Sequence, residues 1–306
     1  MSVIVTTFNR LPFLKQTLES VASQTYGKFE VVVMDDGSSD GTLEFLADLE
    51  PGHLFRFERF RGRERSYLRN AGVAGASGSL VAFLDDDDEW LPRKLERQVA
   101  LAASESDAGM IYSFTTVMDA DGGPVDELTR IHADLYRRQV REGHTFSALA
   151  RSCLLFTSSV LVRREAFDAV RGFDESLVGA EDWDFYLRMS RQFRIAAVEE
   201  PLVRYRLHGA NSTMENGLGA RHVGAARVRA AERFLERARR AVPRDSSTES
   251  LMLRAIAMNH YWAGANHEAL RFAVAAFKAS PRVFLSAANA GWTARALVKA
   301  ARDLTA

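Results

Sequence analysis

From the N-terminus, short unbroken apolar runs alternate with stretches whose apolar residues recur at helical spacing. Ser2 to Thr7 is a β-branched run, Asn9 stands where a helix cap belongs, and Pro12 falls in the first turn of a helix reaching about Gln24. Phe29 to Met34 is a second apolar run, Asp35 to Ser39 reads as a turn, and Asp40 with Gly41 opens a helix ending near Pro51. Leu54 to Phe60 alternates like a strand, and Arg63 to Ala76 reads as a helix stopped at Gly78. Leu80 to Leu84 is then a buried strand closed by the acidic run at Asp85. Strand and helix in strict alternation predict a doubly wound α/β fold with a mainly parallel sheet, because each crossover must return beside the strand before it.

Further on the pattern loosens. Gly109 to Asp119 predicts a strand, Asp121 to Gly123 a turn, and Asp126 to Arg151 a polar stretch with some helix. Ser158 to Val162 predicts another strand, Glu181 to Arg191 a helix, and Phe193 to Arg206 two short strands interrupted by Pro201. After Ser212 alanine, arginine and leucine dominate, with helical periodicity broken at Pro243 and Pro281, so about four helices are expected there. The division predicted is a catalytic α/β domain over residues 1–213 and an α-helical C-terminal region over 214–306. Asn259 to Pro281 resembles one tetratricopeptide helical pair.

Composition narrows the function classes. Of 306 residues, 47% are hydrophobic, enough for a sizeable core. Forty basic and forty acidic side chains cancel, so no global field gathers nucleic acid, and partners must be recognised locally. Cys153 is the sole cysteine, which excludes an internal disulfide or a cysteine-built zinc site and fits a reducing compartment. The opening residues lack a basic segment followed by an apolar stretch, and no apolar run approaches a membrane span. A cytoplasmic protein is expected. Its only foreseen membrane contact is peripheral, through the arginine-rich stretch Arg221 to Arg240, although such a face is more often merely solvated.

In open α/β sheets ligands bind beyond the carboxyl ends of the strands. There the sequence places Thr6, Thr7 and Asn9, then Asp35, Asp36, Gly37, Ser38 and Ser39, then Asp85 to Asp88. Like charges about 4 Å apart repel by about 4 kcal/mol at an effective dielectric near 20, so a consecutive aspartate run calls for a cation. In an extended segment Asp85 and Asp87 would share a face. Magnesium or manganese typically binds through one or two carboxylates plus substrate phosphates, which points to a metal between Asp87 and a diphosphate.

The segments SVIVTTFNR, VVVMDDGSSDGT and LVAFLDDDDEW, in this order and spacing, resemble family 2 glycosyltransferases with the GT-A fold, over roughly residues 1 to 212. The resemblance implies an inverting, metal-dependent transfer of a sugar from a nucleotide diphosphate donor, UDP favoured, to a hydroxyl on a glycan, lipid-linked or other acceptor. It implies that Thr6 and Asp36 lie at the nucleoside pocket with Asp35 close by, and Asn9 at the same strand end is counted with the donor-binding residues. Asp85 would contact the donor's ribose or sugar, and Asp87 would hold Mn2+ or Mg2+, with Asp86 and Asp88 available as substitutes. SYLRNAG resembles the family's A-R-N-x-G loop and puts Arg69 near the donor. Glu181 and Asp182 resemble the acidic pair that opens a helix, which makes Asp182 the catalytic base, Glu181 its neighbour or an acceptor ligand, and Trp183 a possible acceptor platform. The segment Arg204 to Ser212 resembles the family's closing motif, with His208 at the metal or diphosphate and Arg206 neutralising phosphate charge.

Two other classes compete. A nucleotidyltransferase normally opens with a glycine-rich phosphate loop, and Thr6 to Arg10 holds no glycine. A noncatalytic binding or scaffold protein would have no need of Asp87 and Asp182.

Overall fold

The computed structural model describes residues 1–49, 55–141, 146–151, 155–177, 179–209, 211, 228–237, 246–262 and 265–285. They fall in two compact units, one of residues 1–144, 154–175 and 189–208, the other of residues 145–153, 176–188 and 209–306. Pro51, Cys153, Pro243 and the flanks of the arginine-rich stretch lie outside the described residues.

The first unit is built on one sheet of eight strands: β1 (Ser2–Thr7), β2 (Glu30–Asp35), β3 (Phe55–Arg59), β4 (Leu80–Asp85), β5 (Glu89–Trp90), β6 (Ala108–Met118), β7 (Val160–Arg163) and β8 (Arg194–Arg206). Their order across the sheet is β3-β2-β1-β4-β7-β6-β8-β5. β1 runs parallel to both β2 and β4, and β2 parallel to β3. Parallel strands are covered on both faces, and the all-buried run of β1 and the buried stretch Val31 to Asp35 of β2 are what such positions require. The sheet is mixed beyond β4, because β7 pairs antiparallel with both β4 and β6 while β6 and β8 run parallel.

Helix α1 (Leu11–Ala22) follows β1, and Leu14, Leu18 and Val21 pack into the same core as Val3, Val5, Val33 and Leu84. Its cap position is held by Arg10, not Asn9. Asn9 has φ 52° and is committed to the neighbouring loop, and the Leu11 N–H donates to Asp40 Oδ2 instead. Asp40 also accepts from the N–H and hydroxyl of Thr42, the first residue of α2 (Thr42–Asp48). Helix α3 (Arg65–Gly75) lies close on the sheet, because a Cβ at Gly72 would stand 2.6 Å from Ile4 and 3.2 Å from Met34.

Two expectations change, and two helices are added. Phe193 to Arg206 is a single strand, which passes Pro201 through an irregularity opposite Phe114 where a proline needs no ladder donor. The strand expected at Ser158 begins at Val160, after a 3-10 turn over Thr157–Ser159. Helices α4 (Lys94–Ser104) and α7 (Arg164–Ala169) are additions, while α5 (Asp126–Arg141) supplies the helix expected in the polar stretch and stacks Tyr136 on Phe114 at 4.9 Å.

The second unit contains α6 (Phe146–Arg151), the opening of α8 (Glu181–Gln192), α9 (228–237), α10 (Ser246–Trp262), α11 (Asn266–Ala279) and α12 (Pro281–Phe284). Within this unit, described residues from before and after residue 213 meet. Phe146 stacks on Phe234 at 5.1 Å, Trp183 Nε1–H donates to Leu149 O at 3.0 Å, and Arg237 reaches Asp184 at 2.8 Å. The first and last of these contacts bind residues upstream of 213 to the C-terminal helices. Ser250 Oγ–H donates to Ala276 O, and buried alanines 255, 269, 273 and 276 serve α10 and α11 as small packing residues. Among the described residues no helix is long and apolar enough to cross a membrane.

Candidate active site

The register of the sheet brings the predicted clusters to one edge: Thr7 lies beside Asp35, and Thr6 beside both Met34 and Asp85. Each loop beyond a strand end is then fixed by its own polar groups.

After β2, the Asp35 carboxylate is fully buried and accepts from the Gly37 and Ser38 N–H groups and from the Ser38 hydroxyl at 2.5 Å. Arg59 lies 3.7 Å away. Gly37 has φ 89°, and a Cβ there would meet Phe60 O at 2.8 Å, so the turn requires glycine. Asp35 therefore shapes the loop from inside. Asp36 is only half-buried, with Oδ1 taking the Arg63 N–H at 2.8 Å. Asn9 joins the first two loops: its N–H donates to Ser38 Oγ and its Oδ1 accepts the Ser39 N–H, both at 2.8 Å. Between them stands Phe8, 53% exposed although it comes directly after a fully buried strand.

The aspartate run is a turn, not an extended segment, since the Asp88 N–H returns to Asp85 O at 3.3 Å. The alternation expected for Asp85 and Asp87 therefore does not apply, and the four carboxylates meet four different surroundings. Asp85 receives Arg69 Nη2–H at 2.7 Å. Burial pushes Asp85 upward, but the guanidiniums of Arg69, Arg65 and Arg10 outweigh it and hold the group below the ordinary carboxylate range. Arg69 is almost fully buried on α3 and sits over the Phe173 ring at 5.3 Å, so it aims Asp85 while leaving it partly exposed.

Asp86 accepts from Arg10 at 3.1 Å and the Phe8 N–H at 3.3 Å. Burial and neighbouring Asp87 push it up to about 7 against the pull of Arg10. Asp88 is closed off, with Ser158 Oγ at 2.5 Å and the Arg206 N–H at 3.0 Å, and burial raises it well above the usual range. The turn's backbone is clamped by α1, where Thr17 Oγ1 lies within hydrogen-bond reach of Asp86 O and Asp88 O.

Asp87 is the convergence point. Its Oδ2 takes Arg10 Nη1–H at 2.8 Å and lies 3.0 Å from His208 Nε2. A carboxylate only accepts, so Nε2 carries the hydrogen in this contact. Among the described residues no group of three or more His, Cys, Asp or Glu side chains is arranged for a metal. Asp87 and His208, the two residues expected at the metal, are brought together at 3.0 Å; magnesium and manganese commonly take only one or two protein ligands and leave the remaining positions to phosphate and water.

Arg206 does not face the site as expected of a phosphate ligand. It is 1% exposed, and its guanidinium donates to Asp87 O, Ala120 O, Gln16 Oε1 and Glu89 Oε1 over 2.5–3.0 Å. It is an internal strut beneath the aspartate turn. Trp183 is likewise no open platform: it is 5% exposed and bonded to Leu149 O within the second unit. Glu181 is buried there and Asp182 half-buried, in the acidic first turn of α8, which suits the helix dipole. Asp184, fully buried, is gripped by Arg188 at 2.7 Å and Arg237 at 2.8 Å. Sequence reading missed Phe8 and Arg10, although an aromatic and a cation at the end of an apolar run were the available signals.

The fold is a GT-A fold. Over 92% of this chain and 90% of theirs, residues 1–349 of S. aureus TarS with UDP-GlcNAc superpose at a TM-score of 0.59 with 16% identity. A mannosyltransferase of Pyrobaculum calidifontis, PcManGT, solved with GDP-Man and Mn2+, superposes at 0.58 with 20% identity over 98% of this chain and 85% of its own. Residues 2–169 match the family model described as Glycosyl transferase family 2, and the chain belongs to that family of glycosyltransferases. It is 29% identical to uncharacterized glycosyltransferase alr2836 of Nostoc over 70% of this chain and 66% of that protein. YwdF of Bacillus subtilis, also named an uncharacterized glycosyltransferase, is 28% identical over 72% of this chain and 79% of its own. The match spans only 30% of a longer Rickettsia bellii relative.

Proposed function

We propose that the chain moves a sugar from a nucleoside diphosphate donor, UDP favoured, to an acceptor hydroxyl with inversion, assisted by a divalent cation. The observation that carries this reading is the convergence at the strand ends of three kinds of group: an exposed aromatic face with a half-buried carboxylate (Phe8, Asp36), a guanidinium-aimed carboxylate (Asp85), and a carboxylate–imidazole pair (Asp87, His208). Phe8 would stack on the base, Asp36 would bond to the nucleoside, and Asp85 would bond to ribose or sugar hydroxyls. Asp87 and His208 would hold the cation, and an imidazole in the set favours Mn2+ over Mg2+. When bound, the ion would offset the charge of the leaving diphosphate. The ligands of the TarS and PcManGT structures, a UDP-sugar and a GDP-sugar with Mn2+, support a nucleotide sugar here.

Asp182 would take the acceptor hydroxyl proton as the acceptor oxygen bonds to the anomeric carbon. The bond from that carbon to the diphosphate oxygen breaks, and the diphosphate leaves with the electron pair. Attack from the face opposite the leaving group inverts the centre. Incubating the protein with a panel of UDP- and GDP-sugars, acceptors and Mn2+, then reading the product's anomeric configuration by NMR, tests this. Retention of configuration would remove Asp182 as simple base, and no transfer or donor hydrolysis with any donor would remove the reading.

A further inference from the structure

The donor-site reading assigns no role to Arg10, yet among the described residues this is the guanidinium that pairs with the Asp87 carboxylate. It sits at the cap position of α1, its side chain is 29% exposed, and one nitrogen, Nη1, bridges Asp86 Oδ1 at 3.1 Å and Asp87 Oδ2 at 2.8 Å. The same Asp87 oxygen faces His208 Nε2 at 3.0 Å. Two hydrogen donors thus occupy the oxygen that a metal shared with His208 would need, and a carboxylate oxygen has two lone pairs. A divalent ion at Asp87 would also stand close beside a permanently charged guanidinium in a poorly solvated turn, where like charges repel strongly.

We propose that Arg10 is a tethered cation that fills the metal's place on Asp87 while the donor is absent. When a metal–nucleoside diphosphate arrives, Arg10 swings off Asp87 and its planar fork takes up diphosphate oxygens. The side chain is partly open to solvent, and its fixed origin on α1 keeps it beside the turn, since Thr17 of the same helix reaches the backbone of that turn. The consequence is an order of binding: metal alone is resisted, and metal with nucleotide is accepted. This rests on the donor-site reading.

The test is Mn2+ binding to the full chain, read by the electron paramagnetic resonance signal of free Mn2+, without and with UDP. Arg10→Gln is expected to raise the affinity for Mn2+ alone at least tenfold and to weaken UDP binding in the presence of Mn2+. Arg10→Lys, which restores a tethered charge, should return Mn2+ affinity toward that of the natural protein. Arg10→Ala repeats the measurement should the glutamine variant fail to fold. Unchanged or weaker Mn2+ binding in the neutral variants, with natural protein still binding Mn2+ and UDP together, would overturn the role of Arg10 and leave the donor site standing. Absence of Mn2+ binding in every protein, with or without UDP, would overturn both.

Discussion

Arg206 offers the sharpest division between a strut and a ligand. Replacing it with methionine removes a buried guanidinium from four acceptors: Asp87 O, Ala120 O, Gln16 Oε1 and Glu89 Oε1. Breaking one side of a buried ion pair costs about 3–5 kcal/mol, and stranded neutral acceptors add about 1–3 kcal/mol each where water cannot reach them. Glu89 keeps a second partner, Arg204 at 2.6 Å, and is 17% exposed, which argues for the lower end of the ion-pair cost; with the three neutral acceptors rehydrated in the opened space, about 3 kcal/mol is the minimum expected. At about 2–4 °C per kcal/mol for a domain of this size, the midpoint of thermal unfolding should fall by at least roughly 6–12 °C. Arg206→Lys should fall by less, since a charge survives without the fork. Differential scanning calorimetry in nucleotide-free buffer, paired with UDP titration, reads both properties. A midpoint shifted by under about 1 °C together with a tenfold loss of UDP affinity would refute the strut and make Arg206 a phosphate ligand.

Three further outcomes rest on the geometry. Phe8→Ala should weaken nucleoside diphosphate binding by roughly 5- to 30-fold, the equivalent of about 1–2 kcal/mol of stacking, and barely move stability because the ring is 53% exposed; calorimetric titration showing unchanged affinity would reject a stacking role. Asp86 has a folded value of about 7 against 3.8 for the free group, so its contribution to stability is present in full below about 3.8 and is lost as pH rises toward 7. In metal-free buffer Asp86→Asn should therefore gain stability relative to the natural protein as pH rises from about 4 to about 7, and the opposite trend in denaturant titrations would contradict that environment. Asp182→Asn should keep donor affinity within about twofold and lose transfer by at least about 100-fold, a typical share for a general base; weakened donor binding with transfer spared would withdraw the assignment.

The strand ends were legible because parallel strands buried on both faces read as unbroken apolar runs, and the residues just beyond each run must lie at one edge. The roles within those clusters were less legible. Alternation along a strand governs Asp85 only, because the chain turns at Asp86 and aims each later carboxylate separately. Burial of an arginine leaves no local mark in the sequence, so Arg69, aimed at Asp85, and Arg206, withdrawn into the fold, look alike until long-range partners such as Gln16 are placed. Phe8 continues an apolar run and reads as one more strand residue, although strand β1 ends at Thr7 and leaves it in the open. Helix α6 joins the C-terminal helices through contacts such as Phe146 with Phe234, separations that no local periodicity encodes.

The central claim, a metal-assisted nucleoside diphosphate site at this sheet edge, is tested most directly by thermal unfolding with UDP or GDP alone, Mn2+ alone, and each nucleotide together with Mn2+. A ligand present at about 100 times its dissociation constant stabilises the folded state by about 2.7 kcal/mol. The account predicts a rise in the unfolding midpoint with nucleotide and Mn2+ together that exceeds the sum of the separate rises, and that disappears in Asp87→Asn. No Mn2+-dependent rise with either nucleotide, or a rise that survives the loss of Asp87, would contradict it.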